Sequence, residues 1–324
     1  MSAAPLSPPS RVSGMFAPAR VQATVIQITT VVMFLVACAT IDNFATASNI
    51  SSILFAASTV GIAAVGLASV TISGNLFALS LGSTAAFSSI IFVMVSGWGV
   101  IPALLASILL GLVFGLLQGL VVGWLRCNAI ISTIAAGSLI AGLATWVSDG
   151  RTVLAGGGPT WLGSGAILPG VPWQAVIFLI VVVLGEILMS RTRAGWELRL
   201  RGTNAAAAEL AGLRVTRMVI LSYVLAGAGA AIAGALIAAQ SGTGNLRVGA
   251  DLDFSAIAAM LVGGIAIGGG RGRIIDVASG TLFLAVLTNI LLVNNFAYEV
   301  QLMVKGLAVL VAVTAGALLA RKKR

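Results

Sequence analysis

The sequence predicts an all-α polytopic membrane fold of about ten transmembrane helices, with a short cytoplasmic helix in its longest loop. Three observations lead there. The 324 residues are 59% hydrophobic and only 8% charged, with a mean hydropathy of +1.11. A soluble globular chain carries about 25% charged residues, so this one lacks the polar surface to cover itself in water and the bilayer must be its main solvent. Apolar segments recur along the chain, each near the roughly 20 residues that a helix needs to cross hydrocarbon. The basic residues gather in a few short loops that all fall on one side of such a ten-span chain.

The segments run over 22–41, 53–72, 76–95, 100–125, 129–147, 171–189, 218–239, 254–269, 274–293 and 301–320. Residues 1–20, rich in Ser, Pro and Ala, read as a disordered cytoplasmic tail. Residues 21–320 read as one transmembrane domain with a cytoplasmic loop at 190–217, and 321–324, "RKKR", as a basic cytoplasmic end. With both termini inside, fifteen of the eighteen Lys and Arg residues are cytoplasmic, as orientation by positive charge requires. Outside fall Arg151 and Arg247, with Lys305 inside the last span, and five of the nine acids, Asp42, Asp149, Asp251, Asp253 and Glu299. Ala37-Cys38-Ala39 resembles a small-residue cleavage site, but a 20-residue tail is long for a signal peptide, and the segment reads as a retained span.

Composition also excludes functions. The net charge of +9 serves membrane orientation rather than nucleic-acid binding. There is no histidine, two isolated cysteines make neither a disulfide framework nor a metal site, and no GxxxxGK[ST] loop occurs. No cofactor is expected on this chain and no nucleotide hydrolysis by it. An embedded enzyme would need clustered acids, histidines or a nucleophile beside a base, and no such constellation exists. An ion-coupled transporter would need an acid at mid-membrane; Glu186 is the sole internal acid by this count, and it lies close enough to Ser190 and Arg191 to snorkel to the interface.

Within the spans, Gly111, Gly115, Gly119 and Gly123 form a GxxxG ladder on one helical face, which lets two helix backbones approach closely. The small-residue segment "YVLAGAGAAIAGALIAA" should lie deep in the bundle. In the loop 190–217, Asn204 can cap a helix, "AAAAEL" favours one, and Gly212 suits the left-handed position that ends it. That helix reads either as a connector that sets topology or as a docking element for a cytoplasmic partner. Asn75, Ser80, Ser83, Asn128, Ser132 and Thr133 form a neutral polar set near the ends of segments three and five. Such groups suit a pathway for an uncharged, hydroxyl-rich solute, and equally suit helix-to-helix hydrogen bonds. In "GGGRGR", Arg271 and Arg273 flank Gly272 at a tight cytoplasmic turn, and Arg273 can pair locally with Asp276.

"GTNAAAAELAGLRV", then "FSAIAAMLVGG", then Gly269, Gly270, Gly272, Arg273 and Ile274 resemble the permease subunits of ribose-type ATP-binding-cassette importers, in the branched-chain amino acid/ribose permease superfamily. The resemblance covers most of the chain. It implies a dimer with a second permease copy or a paralogue, an ATPase subunit that holds the ATP and Mg, and an extracytoplasmic solute-binding protein. It makes Gly202, Asn204, Ala207, Ala208, Glu209 and Gly212 the coupling helix that enters the ATPase. It also implies alternating access in a bacterial inner membrane for a small neutral solute, a monosaccharide or polyol. The alternatives are a nucleoside or other polar metabolite on the same machinery, or an ion-coupled secondary transporter. One departure stands out: where the family pattern carries an acid before the third span, this chain has Ala78.

Overall fold

The computed structural model describes residues 17–156 and 160–321. Residues 1–16 of the expected tail and Lys322–Arg324 lie outside the described residues, while 17–20 already belong to the first helix. The helices are α1 (Ala17–Thr40), α2 (Ala47–Ile72), α3 (Leu81–Val95, prolonged by a 3-10 turn over Ser96–Trp98), α4 (Val100–Gly123) and α5 (Ala129–Ser148). A single turn, α6 (Trp161–Ser164), precedes α7 (Trp173–Arg191), α8 (Arg193–Thr203) and α9 (Ala205–Leu210). Then follow α10 (Val215–Ser241), α11 (Leu252–Val262), α12 (Ile274–Val293) and α13 (Tyr298–Arg321).

Each of the ten predicted segments falls on a helix, and among the described residues eight helices are long and apolar enough to cross a membrane. Two segments depart from a plain span. The one expected over 254–269 is helical only in α11, whose 11 residues reach about 16 Å, half of a ~30 Å hydrocarbon core. Helix cannot continue through Gly263–Arg273, where Gly264, Gly269, Gly270 and Gly272 all take positive φ. The one expected from residue 76 begins only at Leu81, leaving 73–80 as non-helical chain.

Small ribbons, which the all-α reading did not contain, decorate the bundle end opposite α8 and α9. Strand β1 (Val153–Leu154) pairs antiparallel with β4 (Thr243–Gly244), and β2 (Ala166–Leu168) with β3 (Val171–Pro172). The first ribbon ties the long loop after α5 to the chain leaving α10.

At the centre α2 crosses α10 where Gly66 lies on the Leu225 and Ala226 backbone and Gly229 on the Ile62 carbonyl. The ladder of α4 runs along α10 at four successive turns: Gly111 on Gly227, Gly115 on Tyr223 and Val224, Gly119 on Ile220, and Gly123 on Thr216. These are close backbone contacts of the kind that hold helices together where lipid removes the hydrophobic incentive. The packing also repeats with inverted direction. α3 and α4 pack on α10 with α5 against α3, while α11 and α12 pack on α2 with α13 against α11. The breaks at 73–80 and 242–251 occupy corresponding positions in the two halves.

Gly115→Leu would drive a side chain into the Tyr223 carbonyl, whereas Gly142, on α5, faces open space. Overpacking costs on the order of 1–3 kcal/mol or more. Thermal unfolding in detergent should therefore show a clear loss for Gly115→Leu and almost none for Gly142→Leu.

Candidate functional site

A helix leaves its first four N–H groups without intrahelical partners, and inside hydrocarbon each must be satisfied by protein. Helices α3 and α11, in corresponding positions of the repeat, both begin in the bundle, and their starts meet. The Leu81 and Gly82 N–H groups at the start of α3 donate to the two Asp253 carboxylate oxygens, at 2.8 and 3.2 Å. Gly82 in turn lies against the Gly249 backbone, a contact that leaves no room for a side chain. Asp253 was expected outside the membrane, because an acid beside a glycine-rich stretch reads as an aqueous loop; the non-helical chain 242–251 instead carries it down into the bundle.

Around this joint the polar groups are matched. The Ser80 hydroxyl donates to Gln118 Oε1 at 2.7 Å, and the Leu79 N–H donates to Thr133 Oγ1 at 3.1 Å. Half-buried Ser83 faces Gly137 of α5. On the α11 side Lys305 Nζ, from α13, donates to Ser255 Oγ at 3.3 Å, and that hydroxyl lies 3.4 Å from Asp251 Oδ2. Lys305 thus reaches a hydroxyl partner within the bundle. Two helix starts present partial positive charge here, with hydroxyls, an amide, the Asp253 carboxylate and, on the α11 side, Asp251 and Lys305 around them. Discontinuous helices whose starts converge are the arrangement by which membrane transporters hold a solute.

Of the predicted pathway residues the structure brings together Ser80, Ser83 and Thr133. Asn128 is elsewhere: it is exposed and caps α5, accepting from the Ile130 and Ile131 N–H groups at 3.0 and 3.3 Å. Asn75 lies toward α8, where its Oδ1 accepts from Arg201 at 3.2 Å. Sequence reasoning missed Gln118, one residue from Gly119 in the ladder and the only amide in that apolar segment. It also missed Asp253. Ala78, where the family pattern has an acid, is buried two residues before Ser80, and the carboxylate at this helix start comes from α11.

At the other candidate region, the loop 190–217 holds two helices where one was expected. Thr192 caps α8 through the Gly195 N–H at 3.2 Å, and the arginines of "RAGWELRLRGT" made this stretch look like a charged flank. The predicted α9 has its expected ends. Asn204 Oδ1 accepts from the Ala207 N–H at 3.0 Å, and Gly212, at φ +77°, closes the helix with Gly212 N–H to Glu209 and Leu213 N–H to Ala208. Ala205, Ala206 and Ala207 are exposed and Leu210 is 91% exposed, so α9 offers a small apolar surface. Ala208 faces inward, and Glu209 pairs with Arg126 at 2.8 Å. Gly202 is buried against Ile72 and Gly270 and belongs to the bundle's attachment, not to the exposed surface.

Between α9, the α4–α5 turn and the start of α10 opens a cavity of about 710 Å3, lined among others by Asn75, Arg126, Arg201, Arg214 and Arg217. Burial lowers the pKa of Arg199 and of Arg201, with Glu186 opposing that shift at Arg199. Arg271 and Arg273 do mark a tight turn, in which Gly272, at φ +132°, meets Ile265. Arg273 forms an ion pair with Glu186 of α7, at 3.5 Å. Glu186 therefore does not simply snorkel: its other oxygen accepts the Ile275 N–H at 3.2 Å and caps α12. No group of three or more metal-ligating side chains occurs among the described residues.

The family described as branched-chain amino acid transport system/permease component matches residues 49–314. The L-arabinose transport system permease protein of Escherichia coli (strain K12) is 31% identical over 297 residues, covering 87% of this chain and 86% of that one. The ribose import permease protein of the same organism is 31% identical over 278 residues, covering 84% and 86%. A probable ABC transporter permease protein, also from Escherichia coli (strain K12), is 31% identical over 296 residues, covering 90% and 88%. No solved structure matches the chain.

Removing the Asp253 carboxylate would leave two N–H groups at the start of α3 without acceptors. Unsatisfied buried donors cost about 1–3 kcal/mol. Asp253→Ala should lower the unfolding midpoint in detergent, with Asp253→Asn, which keeps one acceptor oxygen, falling between it and the unaltered chain.

Proposed function

Because the chain belongs to the family of branched-chain amino acid transport system permease components, we propose that it is the membrane-spanning subunit of an ATP-binding-cassette importer for a monosaccharide. The names of its arabinose and ribose relatives support that solute class. The observation that carries the reading is the joint where α3 and α11 start against each other among Ser80, Gln118, Thr133 and Asp253. A neutral polyhydroxyl solute can exchange its water hydrogen bonds for these groups without burying a charge, which keeps the site from becoming a deep trap.

In this reading the α8–α9 end is cytoplasmic, and the exposed Ala207 and Leu210 of α9 enter a cleft on an ATPase subunit. ATP and Mg act there, on the partner. A second copy or a paralogue completes the dimer, and an extracytoplasmic solute-binding protein docks at the ribbon end. ATP and solute bind the outward-open and inward-open arrangements with different affinity, and those differences drive alternating access.

Two experiments test this. The tagged chain, purified with its ATPase, should lose that subunit on Ala207→Arg while still inserting in the membrane; unchanged recovery of the ATPase and unchanged transport would refute the docking assignment. Cys127, exposed on the α4–α5 turn, should resist an impermeant thiol reagent applied to intact cells carrying the Cys38→Ser chain and should react once the membrane is opened. Rapid labelling from outside would invert the orientation.

A further inference from the structure

The non-helical connections of α3 and α11 come together at one place, and the place is the end of α8. The Arg201 guanidinium donates to the Ser73 carbonyl through Nη1 and to Asn75 Oδ1 through Nη2, the latter at 3.2 Å, so it spans the turn that leads from α2 into the break before α3. One residue on, the Gly202 backbone sits against the Ile72 carbonyl, Gly74 and Gly270, where no Cβ fits. Gly269 reaches the same spot, lying on Gly74 and on Gly202, and the Gly270 N–H donates to the Ile72 carbonyl at 2.9 Å. Three separate stretches of chain therefore interlock: the α2–α3 connection, the end of α8, and the α11–α12 turn. Where the first of these stretches runs into α3, Asp253 at the start of α11 accepts the Leu81 and Gly82 N–H groups.

We propose that Arg201 is a positioning residue for transport, the strut through which displacement of the α8–α9 arm moves the break before α3 and so reshapes the joint at Ser80 and Leu81. The inference rests on the reading of α9 as the ATPase-docking helix. α9 is tied to α8 by Asn204 alone, whose N–H closes α8 on Leu200 at 3.1 Å while its side chain opens α9. With so short a link, little of a displacement of α9 is absorbed before it reaches Arg201.

Chemistry favours arginine here over a simple apolar anchor. Its planar fork holds two acceptors at fixed separation, which an ammonium cannot do, and charge-assisted bonds of this kind are about twice as strong as neutral ones. Arg201 Nε and the buried Tyr223 hydroxyl of α10 both lack hydrogen-bond partners among the described residues. Buried unsatisfied groups are rare in a settled structure.

The test uses the full importer, chain plus ATPase plus binding protein, in proteoliposomes loaded with radiolabelled ribose or arabinose outside. Arg201→Gln is expected to retain the ATPase through purification and to hydrolyse ATP at its unstimulated rate. Stimulation of hydrolysis by loaded binding protein, and uptake, should each fall about tenfold, within the range usual for coupling between distant sites. Arg201→Lys, which keeps the charge and loses the fork, should fall between. Uptake and stimulation by Arg201→Gln equal to those of the unaltered chain would overturn the proposal. So would a parallel loss of ATPase retention, basal hydrolysis and uptake, which would mean that Arg201 only holds the arm folded; Arg201→Lys decides the matter if Arg201→Gln fails to insert. An unaltered chain that retains no ATPase would instead refute the importer reading on which this rests.

Discussion

The two hydrogen bonds from the Leu81 and Gly82 N–H groups to Asp253 are what allow a helix to begin inside this bundle at all. In hydrocarbon an unmatched backbone group costs several kcal/mol, and α3 and α11 each leave their chain non-helical on one side. Much of the surrounding architecture follows from meeting that cost. Thr133 serves the Leu79 N–H, and Gln118 fixes the Ser80 side chain. The chain 242–251 must descend far enough to deliver its acid. Because the carboxylate belongs to one half of the inverted repeat and the N–H groups to the other, the two halves cannot separate at the joint without exposing both.

How much of this was legible depended on the physical signal each part emits. Hydropathy located ten of the thirteen α-helices among the described residues, and α12 occupies the expected 274–293. Local turn chemistry located α9 together with its Asn204 cap and Gly212 terminus. The breaks were not visible, because a hydropathy window scores Gly, Ser and Leu together as apolar enough and cannot see that four positive-φ glycines end α11. Asp253 was misplaced for a related reason: charge was taken to mark water, whereas here it marks backbone that has lost its ladder. α8 escaped because its basic residues resemble a solvated flank, yet Gly195 and Gly202 are the positions that let it lie flat against α7 and α2. Of the site, the hydroxyls of Ser80, Ser83 and Thr133 were conspicuous against apolar neighbours, while Gln118 was concealed inside a packing motif.

The polar chemistry of the chain is divided by depth. The joint in the bundle uses hydroxyls, an amide and one carboxylate that is already committed to backbone. At the α8–α9 end the guanidinium groups of Arg126, Arg201 and Arg273 bind three different elements back to the bundle. The wide opening beside α9, by contrast, is lined with arginines.

The crossing of α2 and α10 has a mechanical consequence. Where glycine backbones touch, the helices are already at their closest approach, and separation surrenders the whole contact at once instead of sliding along flexible side chains. Such a crossing is stiff in compression and brittle in extension, so α2 and α10, with α4 laddered onto the latter, make an axle that turns as one piece. Compliance is left to α5 and α13, where Gly142 and Gly306 face open space. Slow amide exchange should therefore trace the axle, and the bearing surfaces of whatever motion this protein performs lie outside it.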